Sequence, residues 1–200
     1  MQAAGQWSEG SFQFATTLSC SAYEGVVSGG QPRGERGRHD HVMPPAIAPA
    51  TQDDLDDAVS LFAGYQRFYA GEARDDDHNR AFLTRFLAPS DDGLLLLARD
   101  EDGTAVGFAN LYWTFSSVSA EPHALMNDLF VSDKARGGNV GHALIEAAAQ
   151  AARERGHTRM SWQTALDNRR AQRLYERFDA ERSVWFEYEV ATGAARPAST

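Results

Sequence analysis

The sequence has few of the features that mark disulfide-linked, metal-binding or membrane proteins. It contains one cysteine, Cys20, in 200 residues, which excludes an intramolecular disulfide framework and a multi-cysteine zinc or iron–sulfur site. No apolar run approaches the roughly 20 residues of a membrane-spanning helix. The first residues also lack the basic and apolar segments of a secretion signal. We therefore expect a cytoplasmic protein without a metal ion.

Basic residues are also scarce. The 19 Lys and Arg are outnumbered by 28 Asp and Glu, which gives a formal net charge of −9 at pH 7. Because such a charge repels phosphate groups and anionic lipids, we expect neither nucleic acid nor a membrane surface as a partner. Hydrophobic residues make up 42% and charged residues 24% of the chain, which is typical of a globular protein.

The first 43 residues show no sustained hydrophobic period. They hold a cluster of glycines and a basic patch of Arg33, Arg36 and Arg38, and such a segment cannot bury enough apolar area to offset its ordering entropy. We interpret residues 1–43 as a leader, either a flexible tail or the result of a mis-assigned translation start. Residues 44–192 are the expected domain, and the small polar residues 193–200 predict a disordered tail.

Hydrophobic periodicity predicts alternating strands and helices from about residue 46 onwards. Leu55, Val59 and Phe62 recur at i, i+4 and i+7, which predicts a helix that begins after Thr51 and ends at Gly71. Two apolar runs, 94–98 and 105–115, flank an acidic turn and predict a hairpin. Further expected elements are a helix around 82–87, strands over 125–131, 158–164 and 184–190, and helices over 140–155 and after Asn168. This order predicts an α/β protein whose mixed sheet carries helices on its faces.

The segment from Arg136 to His142 follows a predicted strand and opens a predicted helix. Its glycines permit positive φ and a close approach of a ligand, and the free N–H groups at a helix start attract phosphate. Arg136 can add a charge-assisted contact. The spacing matches neither a Walker loop nor a dinucleotide fingerprint, so a purely structural turn stays an alternative on these residues alone.

Three motifs, in order, resemble those of the GNAT N-acetyltransferase superfamily. Arg136–Gly141 resembles the pyrophosphate loop R/Q-x-x-G-x-G/A, with Asn139 at the position of its second glycine. Residues 127–131 resemble the strand that precedes this loop in the family. Residues 162–164 and 168–175 resemble the strand and helix that follow it. These motifs are closest to those of the histone- and polyamine-acetylating members. The resemblance spans about residues 46–190. It implies a mostly antiparallel, twisted sheet with splayed central strands.

The resemblance also implies acetyl-CoA as co-substrate and assigns residues to it. The main chain of the strand would bind the pantetheine arm, the loop and helix start would hold the diphosphate, and Asn168 would lie near the thiol end. Since Asn tolerates the left-handed region well, Asn139 is compatible with this loop. The cofactor residues implied are Leu129, Phe130, Val131, Arg136, Gly137, Gly138, Asn139, Val140, Gly141, His142 and Asn168.

The implied reaction is direct attack of a neutral amine on the thioester, with Tyr175 as the acid that protonates the departing thiolate. Asn127 stands where polyamine-specific relatives often have a glutamate base. Because an amide cannot accept the proton, the base is Asp128, a chain of waters or another residue. Tyr65, Phe68 and Tyr69 fall at helical spacing, so they either line an acceptor pocket or pack in the core.

Two functions follow from these residues. The first is an N-acetyltransferase that acts on a primary amine, which can be a small amine, a polyamine, or the lysine or N-terminus of a peptide. The alternative is a non-catalytic acyl-CoA-binding sensor or regulatory module. An exposed terminal strand also makes a homodimer reasonable.

Overall fold

A computed structural model describes residues 44–190 of the chain. The predicted leader, 1–43, and the predicted tail, 193–200, lie outside the described residues. Among the described helices, none has both the length and the apolar character needed to cross a bilayer. Residues 44–190 also contain no group of three or more His, Cys, Asp or Glu side chains placed to hold a metal ion.

The centre of the fold is a five-stranded sheet in which the strands follow their chain order. The first four strands are antiparallel, and the fifth runs parallel to the fourth. The predicted mixed, mostly antiparallel sheet is therefore confirmed. The strands are β1 (Ala46–Pro49), β2 (Gly93–Arg99), β3 (Ala105–Ser116), β4 (Glu121–Val131) and β5 (Arg159–Ser161).

Helices pack on both faces of this sheet. Because successive strand residues point to opposite faces, Leu95 and Leu97 of β2 pack with α1, whereas Leu96 and Ala98 pack with α3. Each face thus has its own apolar core, which accounts for a β2 sequence without polar residues between Leu94 and Ala98. The helices are α1 (Leu55–Ala70), α2 (Asp76–Leu83), α3 (Val140–Glu154) and α4 (Arg169–Tyr175).

The helix ends follow local capping chemistry. α1 ends at Gly71 and α3 ends just before Gly156, and both glycines have positive φ, 79° and 88°, as predicted. The helix expected around 82–87 begins earlier, because the Asp75 side chain accepts a hydrogen bond from the His78 N–H at 2.9 Å and caps α2 at its start. Residues Thr84–Phe86 form a 3₁₀ turn instead.

β4 and β5 diverge after a short ladder. They pair only from His123↔Arg159 to Leu125↔Ser161, although β4 continues to Val131. The following residues of β4 pair with β3 on one side alone. The predicted splay of the central strands is confirmed, and it leaves main-chain groups of β4 facing the gap.

A β-bulge in β4 decides which side chains reach each face. Leu111 pairs with Met126 and Asn110 pairs with Asp128, so Asn127 is an extra residue in β4. Two residues that are two positions apart normally share a face. The bulge instead places Met126 in the core under α3 and Asp128 on the face covered by α1.

The strand predicted over 184–190 does not form. Residues 179–190 have no regular secondary structure, and the side chains from 184 to 190 are exposed. The alternating pattern is present in the sequence, but a strand also needs a neighbour for its hydrogen bonds, and in the described chain this segment has none.

Gly107 allows β3 and β4 to lie close together beside the gap. A Cβ at this position would lie 2.7 Å from the Phe130 carbonyl oxygen. Gly107→Ala is therefore expected to lower the free energy of unfolding by about 1–3 kcal/mol, as overpacking does, measured by urea denaturation. Gly138→Ala is the control, since its Cβ would approach no atom closer than 3.4 Å. Equal stability of both variants would contradict the prediction.

Candidate active site

A buried carboxylate lies on the α1 face of the sheet. Asp128 is 5% exposed, and its Oδ2 is 3.4 Å from the Nδ2 of Asn110, its neighbour across β3. Tyr65 of α1 shares a hydrogen bond with this carboxylate. Burial raises the pKa of Tyr65, and the hydrogen bond to Asp128 raises it further. The phenol therefore stays a donor that holds Asp128 in place.

Tyr112 of β3 adds a second phenol near the same carboxylate. Burial, followed by the charge of Asp128, raises the pKa of Tyr112 to about 12. Its hydroxyl accepts a hydrogen bond of 3.2 Å from the Nδ2 of exposed Asn127. Asp128 thus lies among three neutral polar groups, those of Asn110, Tyr65 and Tyr112.

Tyr175 stands at the last residue of α4, next to the gap between β4 and β5. Its ring meets the ring of Trp162 edge to face, with centroids 5.5 Å apart. Burial, with a smaller contribution from Tyr69, raises the pKa of Tyr175 to about 12. The hydroxyl is therefore protonated at neutral pH and is able to donate a proton.

Aromatic residues of α1 connect these groups. The Tyr65 and Tyr69 rings lie 4.9 Å apart, and Phe68 lies 4.9 Å from Tyr69. Tyr65 contacts Asp128, Tyr69 lies near Tyr175, and the Arg136 guanidinium lies 5.4 Å from the Phe68 ring centroid. Phe68 and Tyr69 are more than half exposed. Of the two interpretations given for these three aromatic residues, a pocket wall or core packing, core packing therefore applies only to Tyr65.

The loop before α3 has the backbone expected of an anion site. Asn139 adopts the left-handed conformation with φ 64°, as predicted, and Gly137 has φ 96°. The first bond of the helix runs from the Ala143 N–H to the Asn139 carbonyl at 3.1 Å. The N–H groups of Val140, Gly141 and His142 precede it, so they have no partner within the helix.

Not every residue assigned to the loop is equally available to a ligand. The Gly138 N–H donates to the Ala135 carbonyl at 3.3 Å. Arg136 donates through Nε to the Val131 carbonyl at 3.0 Å and forms an ion pair with Asp133. These contacts turn Arg136 toward the end of β4 and engage two of the groups expected to hold a diphosphate.

The family profile described as "Acetyltransferase (GNAT) family" matches residues 56–180. The chain belongs to this family. The acetyltransferase is 36% identical over 140 residues to the uncharacterized N-acetyltransferase YhfO of Bacillus subtilis, covering 70% of this chain and 92% of the relative. It is 31% identical to the D-amino-acid N-acetyltransferase HPA3 of Saccharomyces cerevisiae, over 68% of this chain and 83% of the relative.

A solved structure shows the same architecture. The crystal structure of a probable acetyltransferase matches with a TM-score of 0.64 and 32% identity, and it covers 76% of this chain and 99% of its own. These relatives make the chain an acetyl-CoA-dependent acyltransferase and do not favour the non-catalytic module. The free N–H groups at the start of α3 and the unpaired side of β4 fit such a co-substrate.

Three further residues next to the candidate site were not recognised in the sequence. Asn110 and Tyr112 belong to β3. Their polar groups within an otherwise apolar strand are the sequence feature that could have indicated them. Arg177, just after α4, donates through Nη2 to the Asn139 Oδ1 at 3.1 Å. The sequence feature that could have indicated Arg177 is the group of arginines after Asn168, which is unusual in an acidic chain.

Two expected cofactor residues of the acetyltransferase have structural contacts of their own. The Oδ1 of Asn168 accepts a hydrogen bond of 3.1 Å from the Ala171 N–H and caps α4. The His142 ring stacks on Phe178, with centroids 4.5 Å apart. The His142–Phe178 stack and the Arg177–Asn139 hydrogen bond hold the residues that follow α4 against the start of α3.

Proposed function

We propose that this acetyltransferase transfers the acetyl group of acetyl-CoA to a primary amine by direct attack, without a covalent enzyme intermediate. The observation that carries the proposal is the connected set of Asp128, Tyr65, Tyr69 and Tyr175 beside the gap between β4 and β5. The proposal takes Asp128 as the group that accepts a proton and Tyr175 as the group that donates one.

The proton transfers balance with these residues. Asp128 takes the proton that the attacking amine loses as the C–N bond forms. Tyr175 gives its proton to the sulfur as the C–S bond breaks. Asp128 then releases its proton to water and the Tyr175 phenolate takes one up from water, which restores both residues. The products are the N-acetylated amine and free CoA. A chain of waters is the alternative to Asp128 as base.

The proposed co-substrate site uses the elements next to this pair. Main-chain groups of Leu129–Val131 bind the pantetheine arm on the unpaired side of β4, and the N–H groups of Val140–His142 bind the diphosphate. Asn168 lies near the thiol end. The start of α3 supplies partial positive charge, which attracts the diphosphate despite the net negative charge of the chain.

The proposed acceptor is a small amine, a polyamine, or a peptide lysine or N-terminus. A buried carboxylate next to two phenols favours a cationic amine. The motifs that resemble the histone- and polyamine-acetylating members support the same class. The yeast relative named for D-amino acids makes free amino acids of both chiralities a necessary part of any test.

The test is release of free CoA from acetyl-CoA, followed with a thiol reagent, in the presence of polyamines, D- and L-amino acids and lysine-rich peptides. Acceptor-dependent release that gives the N-acetylated product by mass spectrometry supports the proposal. Tight binding of acetyl-CoA without turnover of any amine in the panel would favour the acyl-CoA-binding module.

Arg177 is expected to strengthen acetyl-CoA binding, because it places a cation on the loop at Asn139. Arg177→Ala should raise the Kd for acetyl-CoA by about tenfold, the value of an exposed charge-assisted hydrogen bond, measured by calorimetry. Arg173→Ala, one turn earlier on α4, is the matched control. An equal loss in both variants would indicate a general effect of charge rather than a contact.

We further propose that residues 44–192 are the catalytic domain and that the protein is a cytoplasmic homodimer. Removal of residues 1–43 is expected to leave the Tm and the acetyl-CoA affinity unchanged, since a leader without a hydrophobic period contributes no core. The measurement is thermal unfolding with and without acetyl-CoA. A fall of several degrees would make the leader part of the fold.

A further inference from the structure

Asn110 is a buried polar residue in the middle of β3. It is 0% exposed and is the only polar residue between Val106 and Leu111. Its neighbours across the sheet are Leu95 of β2 on one side and Asp128 of β4 on the other. A polar side chain at such a position costs free energy unless hydrogen bonds compensate for its loss of water.

A second buried asparagine, Asn79 of α2, shows how an amide that stabilises the fold is satisfied. Its Oδ1 accepts a hydrogen bond of 2.9 Å from the Gln66 Nε2. Its Nδ2 donates to the Gln66 Oε1 at 3.1 Å and to the Arg74 carbonyl at 3.3 Å. Both ends of this amide are therefore paired, and the contacts join α1 to α2.

The Asn110 amide is paired at one end, and its partner is the proposed base. Its Nδ2 donates to the Asp128 Oδ2 at 3.4 Å, whereas no group of residues 44–190 donates to its Oδ1. An amide with a bare buried oxygen stabilises the fold poorly. Such local departures from good packing are concentrated at functional sites, so we looked for the use of Asn110 at Asp128.

The carboxylate fixes the direction in which the Asn110 amide points. An ionised carboxylate only accepts hydrogen bonds, so the opposite orientation of the amide would place two oxygens against each other. The bulge at Asn127 brings both side chains to the α1 face, on directly opposite residues. Tyr65 reaches the same carboxylate from α1. Two donors from different elements therefore restrict the rotation of Asp128.

We propose that Asn110 is a positioning residue for Asp128 in acetyl transfer, an inference that rests on the proposed function. Its Nδ2–H restrains the carboxylate, so that Asp128 meets the amine in one orientation. A separation of 3.4 Å is long for an N–H···O bond, and such contacts in an active site often tighten once the substrate is bound. Asn110 acts through Asp128, since its own side chain is fully buried.

The first test uses two substitutions of the same branched shape, both suited to a strand. Asn110→Val removes the hydrogen-bond donor, and Asn110→Thr retains a hydroxyl that can donate. We expect Asn110→Val to lower kcat about tenfold, the value of one hydrogen bond to a charged group, with the KM for the acceptor nearly unchanged. Asn110→Thr should recover part of the loss. The Tm and the Kd for acetyl-CoA show that both variants are folded.

A double-mutant cycle tests whether Asn110 acts through the carboxylate. Asn110→Val should lower kcat in the wild-type chain but cause no further loss in the Asp128→Asn variant, because the group that it positions is then absent. A purely structural role would lower kcat by the same factor in both backgrounds. If Asn110→Val does not fold, Asn110→Thr takes its place in the cycle.

NMR observes the contact independently of activity. The side-chain amide signals of Asn110, assigned by their loss in Asn110→Thr, should move in Asp128→Asn and stay in place in Asp91→Asn, whose carboxylate pairs with Arg155 at the surface. Unmoved signals in Asp128→Asn would overturn the proposal.

The kinetic outcomes separate this inference from the function on which it rests. Acetyl transfer that depends on Asp128 but is unaffected by Asn110→Val, or equal losses in both backgrounds of the cycle, refutes the positioning role alone. Full turnover of Asp128→Asn refutes the positioning role together with the proposed base. Absence of transfer to every amine tested refutes the proposed function, and the inference with it.

Discussion

Tyr175→Phe is expected to lower turnover by about 10²-fold or more, the usual contribution of a general acid, and to leave the Kd for acetyl-CoA unchanged. The substitution keeps the ring that contacts Trp162 and removes only the hydroxyl. Steady-state kinetics and calorimetry measure the two quantities. The Tm serves as the control, because a folded variant should keep it within a degree.

The pH profile gives a second measure of the same role. The pKa of Tyr175 is raised to about 12, so the proton stays on the phenol through neutral and moderately alkaline pH and is lost only as the pH approaches that value. The rate should therefore show no decrease attributable to Tyr175 near pH 10. Unchanged turnover of Tyr175→Phe would rule out the acid role.

Asp128→Asn is expected to lower turnover by about 10²–10³-fold at neutral pH. The amide has nearly the same shape and retains an oxygen for the Tyr65 hydroxyl, but it cannot take the proton of the amine. Part of the rate should return as the pH rises, since hydroxide can then take the proton that Asp128 accepts in the wild-type protein. Rates across pH 7–10, with a saturating acceptor, measure the effect.

Asp91→Asn is the matched control for this substitution. Asp91 is exposed and forms an ion pair of 2.8 Å with Arg155, so its loss should leave turnover unchanged. If Asp128→Asn retains normal turnover while acetyl-CoA binding is intact, the base is a chain of waters or another residue. If it unfolds, Asp128→Glu tests whether a displaced carboxylate restores part of the rate.

The features that the sequence predicted well have local causes. Gly71 and Gly156 end their helices through their own backbone conformation, and Asn139 adopts positive φ because of its own side chain. The loop motif and the alternation of strands and helices are likewise encoded within short windows. This explains why the fold and the conformation of the loop before α3 were recognisable without a structure.

The surroundings of Asp128 have a nonlocal cause. The bulge at Asn127 changes the face on which Asp128 lies, and a period of two would have placed it beside Met126. Its partners Tyr65 and Asn110 come from α1 and β3, so only the folded chain brings them together. The prediction of a strand over 184–190 was wrong for a related reason. Alternation of apolar and polar residues does not show whether a neighbouring strand is available to pair with the segment.

The two tyrosines of α1 that reach the proton-handling groups are four residues apart, which is about one turn of the helix. Tyr65 contacts the carboxylate and Tyr69 lies near the phenol of α4. A rigid helical turn therefore acts as a spacer between the two ends of the reaction. If Asp128 and Tyr175 act as proposed, an acceptor that displaced this turn of α1 would change the surroundings of the base and of the acid together.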